Sequence, residues 1–273
     1  MSINGQTAVR HARVVPARDA GTPPQVDADF PRAVVAHGMD QPGGMKSPPH
    51  THSRGQLLYA ARGTVTTTAA EGNWVAPPER AIWVPAGVAH ITRTSVGTEL
   101  RSIFVRTGAV PGLPERCAVV QVSPLLRELL LTVMRLPPLY DEDGADGRLV
   151  RVLLDRLAAL PDEPLHLPMP TNKKLRAIAA ELAERPSMPL AKAARRAAMS
   201  PRSFARHFLT ETGLTFGAWQ RQARLLRALE LLGTGLGVGE VAFALGYEGT
   251  SAFIAMFRRA FGSTPARYFA GST

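Results

Sequence analysis

His50 and His52 stand two residues apart in Gly44-Met-Lys-Ser-Pro-Pro-His50-Thr-His52-Ser-Arg-Gly-Gln56-Leu-Leu-Tyr-Ala-Ala-Arg-Gly63, and His90 closes Pro85-Ala-Gly87-Val-Ala-His90. On a strand, that spacing turns both imidazoles to one face. Neutral imidazole ligates divalent Zn, Ni, Cu or Fe, so the three histidines with Gln56 form a candidate metal site. Without an ion, the same side chains would line a small-molecule pocket.

Arginines make the second candidate set. Residues 170–273 hold 15 Lys+Arg against 6 Glu and no Asp, while residues 1–169 hold 17 basic against 16 acidic residues. Nearly all of the formal +10 therefore lies in the C-terminal module. A basic module beside a near-neutral one points to a polyanion, and charge alone fits DNA, RNA or an anionic membrane surface.

The elements that must position these arginines are helices. The pattern predicts a short helix over 189–197, a turn at Met199-Ser200 and a second helix over 201–212. Ser200 is a good N-cap, and Pro201 takes the first helical position, where its missing N–H costs nothing. Phe204, Phe208 and Leu209 face inward; Arg202, Ser203, Arg206 and His207 stay outside. The arrangement recurs with a helix over 238–245, a turn at Gly246-Tyr247 and a helix over 250–261 bearing Phe253, Phe257 and Phe261 inward. Both read as helix-turn-helix units. A helix over 215–232, about 27 Å long, separates them and could hold two recognition helices about 34 Å, one DNA turn, apart.

The histidines need a different scaffold. Short apolar runs broken by Gly and Pro predict strands at 56–61, 64–68, 80–84, 90–94 and 100–105. Tyr59, Trp74, Trp83 and Phe104 read as core, Cys117 as a buried thiol. Arg54, Arg62, Arg93 and Arg101 read either as receivers of an anionic effector or as a solvated strand face. Leu125, Leu126, Leu129, Leu130 and Val133 share one helical face, and Val150, Leu153, Leu154 and Leu157 another. Those faces suit a dimer contact or packing on the barrel of their own chain. The predicted organisation is a tail over 1–28, a β domain over 29–122, a helical pair and linker over 123–169 and a double helix-turn-helix domain over 170–273; the resemblances given next imply a sensor for 29–122 and DNA binding for 170–273. The single cysteine excludes an internal disulfide and a thiolate cluster. No membrane-length apolar run or secretory signal is read, so a cytoplasmic protein is expected.

Two resemblances sharpen this. Met199-Ser-Pro-Arg-Ser-Phe-Ala-Arg-His-Phe-Leu-Thr-Glu-Thr-Gly213, Val241-Ala-Phe-Ala-Leu-Gly-Tyr247 and Ser251-Ala-Phe-Ile-Ala-Met-Phe-Arg-Arg-Ala-Phe-Gly-Ser-Thr-Pro265 resemble the AraC/XylS family of bacterial transcription regulators. The resemblance implies a double helix-turn-helix module reading two adjacent major grooves. It places Arg202 and Arg206 at base edges, where an arginine fork can bond guanine O6 and N7. Thr250, Ser251 and Ala255 take the base-facing positions of the second helix. Many relatives carry a basic residue where this chain has Ala255, so that helix is expected to act mainly through Arg258 and Arg259 on phosphates. Arg221 and Arg224 on the spacer are expected to add phosphate contacts, and His207 a phosphate or surface role. The run Ala252-Phe-Ile-Ala-Met-Phe-Arg-Arg259 also resembles a subgroup that includes repressors of neighbouring transporter genes.

The histidine segments resemble the cupin motif pair, with every spacing kept from Gly44 to Gly63 and from Pro85 to His90. Gln56 replaces the usual Glu, and Thr94 stands where Asn is typical. The expected architecture is α+β and two-domain: an N-terminal cupin-like β-barrel followed by an all-α double helix-turn-helix domain. The expected function is effector- or metal-controlled, sequence-specific binding of double-stranded DNA by a homodimer, with RNA polymerase as a further partner for an activator. DNA-bound molecules would sit in the nucleoid. The rival readings are a metal-dependent cupin enzyme with an accessory basic domain and a sequence-indifferent DNA binder.

Overall fold

The structure, a computed structural model, describes residues 30–159 and 161–270. The expected tail over 1–28 lies outside the described residues. Two antiparallel sheets form the N-terminal half. One runs in the order β1 (Val34–Gln41), β8 (Thr98–Val105), β3 (Gly55–Arg62), β6 (Arg80–Val84), β9 (Ala118–Gln121) and β10 (Asp162–Glu163). The other runs β11 (His166–Pro168), β5 (Gly72–Ala76), β4 (Val65–Ala69), β7 (His90–Thr94) and β2 (Met45–Lys46).

Side chains alternate across a strand, and here both faces of the first sheet are apolar. Leu58, Ala60, Ile82 and Val84 join Val65, Trp74 and Ala76 of the second sheet in one core. Their neighbours Leu57, Tyr59, Ala81 and Trp83 point the other way and need a separate cover. Helices α1 (Pro124–Val133) and α2 (Ala145–Ala158) supply it through Leu126, Leu130, Val133, Val150, Leu153, Leu154 and Leu157. Ser123 caps α1 by accepting from the Leu126 N–H. Of the leucine faces considered as a dimer contact, Leu126, Leu130, Val133, Val150, Leu153, Leu154 and Leu157 are thus covered by their own chain, while Leu125 stays exposed and Leu129 half-buried. Leu126 and Leu130 are 1% and 0% exposed, so a charge there would unfold the sensor rather than split a dimer.

The segment expected to be a linker is structured. Asp162 and Glu163 pair with β9, and residues 166–168 pair with β5, so the chain adds an edge strand to each sheet before leaving. The helices that follow are α3 (Lys173–Glu184), α4 (Leu190–Arg196), α5 (Pro201–Thr212), α6 (Phe216–Gly233), α7 (Val238–Ala244), α8 (Thr250–Phe261) and α9 (Pro265–Ala270). Local chemistry sets their ends. Ser200 accepts from the Ser203 N–H, Thr215 from the Ala218 N–H, and Glu240 from the Gly237 N–H. Gly262 closes α8 at φ 74°, a left-handed position that costs glycine little.

The two halves share a continuous core. The Trp219 indole N–H donates to the Pro168 carbonyl at 2.7 Å, and Arg176 donates to the Ala70 carbonyl at 2.8 Å. Thr66 donates to Glu230 at 2.9 Å, and Arg93 pairs with Glu184 at 3.2 Å. Gly233 ends α6 directly against Thr64, and a Cβ there would collide with the threonine hydroxyl. No described helix is long and apolar enough to cross a membrane.

Candidate effector site and nucleic-acid interface

His50 and His90 face each other across an isolated antiparallel bridge, with backbone N–H to carbonyl distances of 3.0 and 2.9 Å. His52 is not on a strand. A backbone bond from the Gly87 N–H to its carbonyl, 2.8 Å, holds it beside the other two instead. The expected strand alternation at residues 50–52 is thus absent, yet the rings converge. One nitrogen from each of His50, His52 and His90 lies within 4.8 Å of the others.

The hydrogen bonds decide which nitrogens are open. A carbonyl can only accept, so the His50 Nδ1–H donates to the Pro48 carbonyl and the His90 Nδ1–H to the Val88 carbonyl, both at 2.9 Å. The His50 Nε2 is then left as a lone pair, as in metal-binding histidines whose second nitrogen is fixed by a carbonyl, whereas the His90 Nε2 faces a second oxygen. His90 Nε2 lies 3.2 Å from the side-chain amide of Gln56. The atom of Gln56 that faces it is Oε1, while the Gln56 side-chain N–H donates to Ser102 Oγ at 3.5 Å. The Gln56 oxygen thus already points toward the histidine cluster. His52 Nε2 is buried without a hydrogen-bond partner.

Burial pushes His52 down to about 3, helped by its imidazole neighbours, and His90 down to about 4. His50 is also lowered, chiefly by burial. The rings are neutral at pH 7 and in the state that ligates a cation. The donor set therefore fits a divalent ion on two counts: convergent neutral ring nitrogens and a buried His52 nitrogen without a partner. The adjoining cavity, bordered by His37, His50, Gln56, Thr92 and Ser102, encloses only about 20 Å³. That admits an occupant the size of one water; a larger effector would have to open the barrel.

The sequence reading missed His37. Val35, His37 and Met39 alternate on β1, and a histidine within that apolar alternation was the available signal. His37 Nε2 is buried and unpaired at the same cavity. Three of the four barrel arginines are engaged within the fold rather than poised for an anion, and the fourth, Arg62, is exposed at the end of β3. Arg54, 1% exposed, donates to the Phe30 and Arg32 carbonyls. Arg101 pairs with Asp40 and Glu99, and Arg93 with Glu184 and Glu230. Tyr59, Trp74, Trp83, Phe104 and Cys117 are all core, and burial pushes the Cys117 thiol up to about 12.

On the helical half, Phe204 and Phe208 are fully buried, which turns the opposite face of α5 outward. Arg202, Arg206 and His207 are exposed there, with Ser203 half-buried. On α8 the buried Phe253 and Phe257 leave Thr250, Ser251, Ala255, Arg258 and Arg259 exposed. Arg221 is exposed on α6. Arg224, expected beside it as a phosphate contact, is half-buried and donates to the Pro186 carbonyl at 2.9 Å. Three residues on, it lies about 60° round the helix from Arg221, on the side that meets Pro186.

Residues 42–164 match the family described as AraC-like ligand binding domain, and residues 193–271 match one described as helix-turn-helix domain. The HTH-type transcriptional regulator NimR of Escherichia coli (strain K12) is 38% identical over 231 residues, which cover 84% of each chain. The HTH-type transcriptional regulator RipA of Corynebacterium glutamicum is 33% identical over 135 residues, 49% of this chain and 39% of that one. Among solved structures, the DNA-binding domain of AdpA in complex with a target DNA is 34% identical, covering 38% of this chain and 92% of that one at a TM-score of 0.33.

Proposed function

Because the chain belongs to the AraC family of helix-turn-helix transcriptional regulators, with a ligand-binding domain ahead of its DNA-binding domain, we propose that its ligand is a divalent cation held by His50, His52 and His90. The observation that carries this reading is the convergence of three neutral ring nitrogens beside an ion-sized cavity. His50, His52 and His90 would hold the cation, and it would give the buried His52 nitrogen the partner it lacks. The remaining steps belong to the chain. Strand β7 carries His90 at its start and Arg93 three residues on, and Arg93 grips Glu184 of α3. Any shift of His90 on ligation is thereby passed to the helix that opens the DNA-binding half. An ion favouring one setting of β7 shifts the population of DNA-ready molecules by linkage.

In this reading Arg202 and Arg206 reach base edges from α5, while Arg258, Arg259 and Arg221 engage phosphates. The second recognition helix, lacking a long donor at Ala255, contributes chiefly register. Arg206→Ala is expected to cost about 1–3 kcal/mol of discrimination between operator and bulk DNA, while binding to bulk DNA changes little. Competition titrations of both DNAs check this, and equal losses on the two would reassign Arg206 to phosphate.

Footprinting the region upstream of the protein's own gene tests the whole reading. The protein is assayed with added Zn or Ni and after chelation, at physiological salt with excess competitor DNA. Protected half-sites about one helical turn apart, with an affinity that changes on chelation and returns with the ion, are expected. A footprint indifferent to chelation and re-addition would overturn the cation and leave the DNA reading in place.

A further inference from the structure

Two helix-turn-helix units joined by one helix read adjacent grooves only if their relative orientation is fixed. On α6, Gln220 and Arg224 lie one turn apart on the same side. Both reach the segment that leads into the first unit: Gln220 Nε2 donates to the Met188 carbonyl at 2.6 Å, and Arg224 Nη2 to the Pro186 carbonyl at 2.9 Å. Arg224 does more. Its guanidinium carbon lies 5.9 Å from the ring centroid of Tyr247, the residue in the turn between α7 and α8. Tyr247 in turn packs on Phe253 of α8, with ring centroids 5.7 Å apart. One planar group is thus bonded to the approach of the first unit and stacked on the turn of the second. Its Nε is buried, out of reach of a phosphate.

We propose that Arg224 is a positioning residue that sets the orientation of recognition helix α8 relative to α5, and so determines whether both grooves are read at once. It touches no DNA. The guanidinium is suited to this because it donates in its plane while offering its face to an aromatic ring, a combination an ammonium group does not provide. The inference rests on the DNA-binding activity of the module and not on the proposed cation.

The test uses the full-length protein and duplexes that the wild type selects from a random-sequence pool. Affinity is measured for a selected duplex and for versions with either half-site scrambled. Arg224→Lys keeps the charge but not the fork or the stacking face. It is expected to lower affinity for the intact duplex by about 10- to 100-fold, the loss that accompanies uncoupling of two linked sites. Affinity for each single half-site should change less than about twofold, and the salt dependence should keep its slope. Tyr247→Leu should reproduce the loss, and the double variant should be no worse than either single one. Full activity of Arg224→Lys, or parallel losses on intact and half-site duplexes, would overturn the proposal and restore a phosphate contact. Should the wild type itself enrich no sequence, two-groove reading and the role given to Arg224 would both be overturned.

Discussion

Acidifying the metal-free protein from pH 7 to pH 4 is expected to lower its unfolding temperature steeply, and His52→Asn with His90→Asn is expected to flatten that decline. In the fold His52 is held down to about 3 and His90 to about 4, in both cases first by burial. In the unfolded chain both return to about 6.5. Between those limits the unfolded chain binds protons that the folded chain refuses, so stability falls as pH drops below about 6.5. The decline levels off near pH 3, where the buried rings protonate. One pH unit of difference is worth about 1.4 kcal/mol per group. After discounting for the part of each ring that solvent reaches, the pair removes on the order of 5 kcal/mol by pH 4. Carboxylates titrate in the same range, so the informative quantity is wild type minus variant. Parallel melting curves for the two proteins between pH 7 and pH 5 would show that these rings are solvated. The same depression predicts that Zn or Ni affinity, followed calorimetrically, begins to fall only at a pH below that at which an exposed histidine site weakens. A surface histidine site would lose affinity from about pH 6.5.

Trp219→Ala is the substitution expected to cost most in stability. Trp219 is 0% exposed, donates its indole N–H to the Pro168 carbonyl of the barrel edge, and meets Phe208 of α5 edge-on at 5.5 Å. Removing a buried aromatic of this size costs about 3–5 kcal/mol, and orphaning the Pro168 carbonyl adds about 1 kcal/mol. Denaturant unfolding should show the midpoint falling by the equivalent amount, and DNA binding should weaken because α5 and α6 lose their shared anchor. Trp219→Phe keeps most of the packing and should cost on the order of 1–2 kcal/mol. A near-wild-type midpoint for the alanine variant would mean that the barrel and the helices are held together by something other than this residue.

The double helix-turn-helix was legible because its signals are local. Ser200 before Pro201, Thr215 before Phe216, and Gly213 and Gly262 at helix ends each act on the chain within a few residues, and each performs its local role. Convergence of the three histidines was legible for a related reason, since motif spacing fixes their loops. What escaped depends on partners distant in sequence. The prolines at 161, 164, 168 and 170 suggest an open linker, but the Val75 N–H donates to the Leu165 carbonyl and His166 stacks on Trp74, contacts that cross about 90 positions. Amphipathic spacing showed that Leu126 and Leu130 are buried, not what buries them; the second apolar face of β3 and β6 does. Arg224 shows the same limit in reverse. Its type and position suggest solvent, and only the approach of Pro186 and Tyr247 turns it inward.

Residues 161–168 lend an edge strand to each sheet before entering the helices, and this determines where the protein can be cut. A sensor fragment ending near residue 122 or residue 160 would lack β10 and β11, and the second strands in, β9 and β5, would become bare edges open to pairing with other chains. A soluble sensor fragment must therefore extend to about residue 169. A helical fragment begun beyond that point would uncover Trp219, the residue the strap is bonded to. Exchange of such sensor and DNA-reading halves between regulators, in the laboratory or by recombination, would have to carry this strap with the barrel and supply a matching indole on the other side.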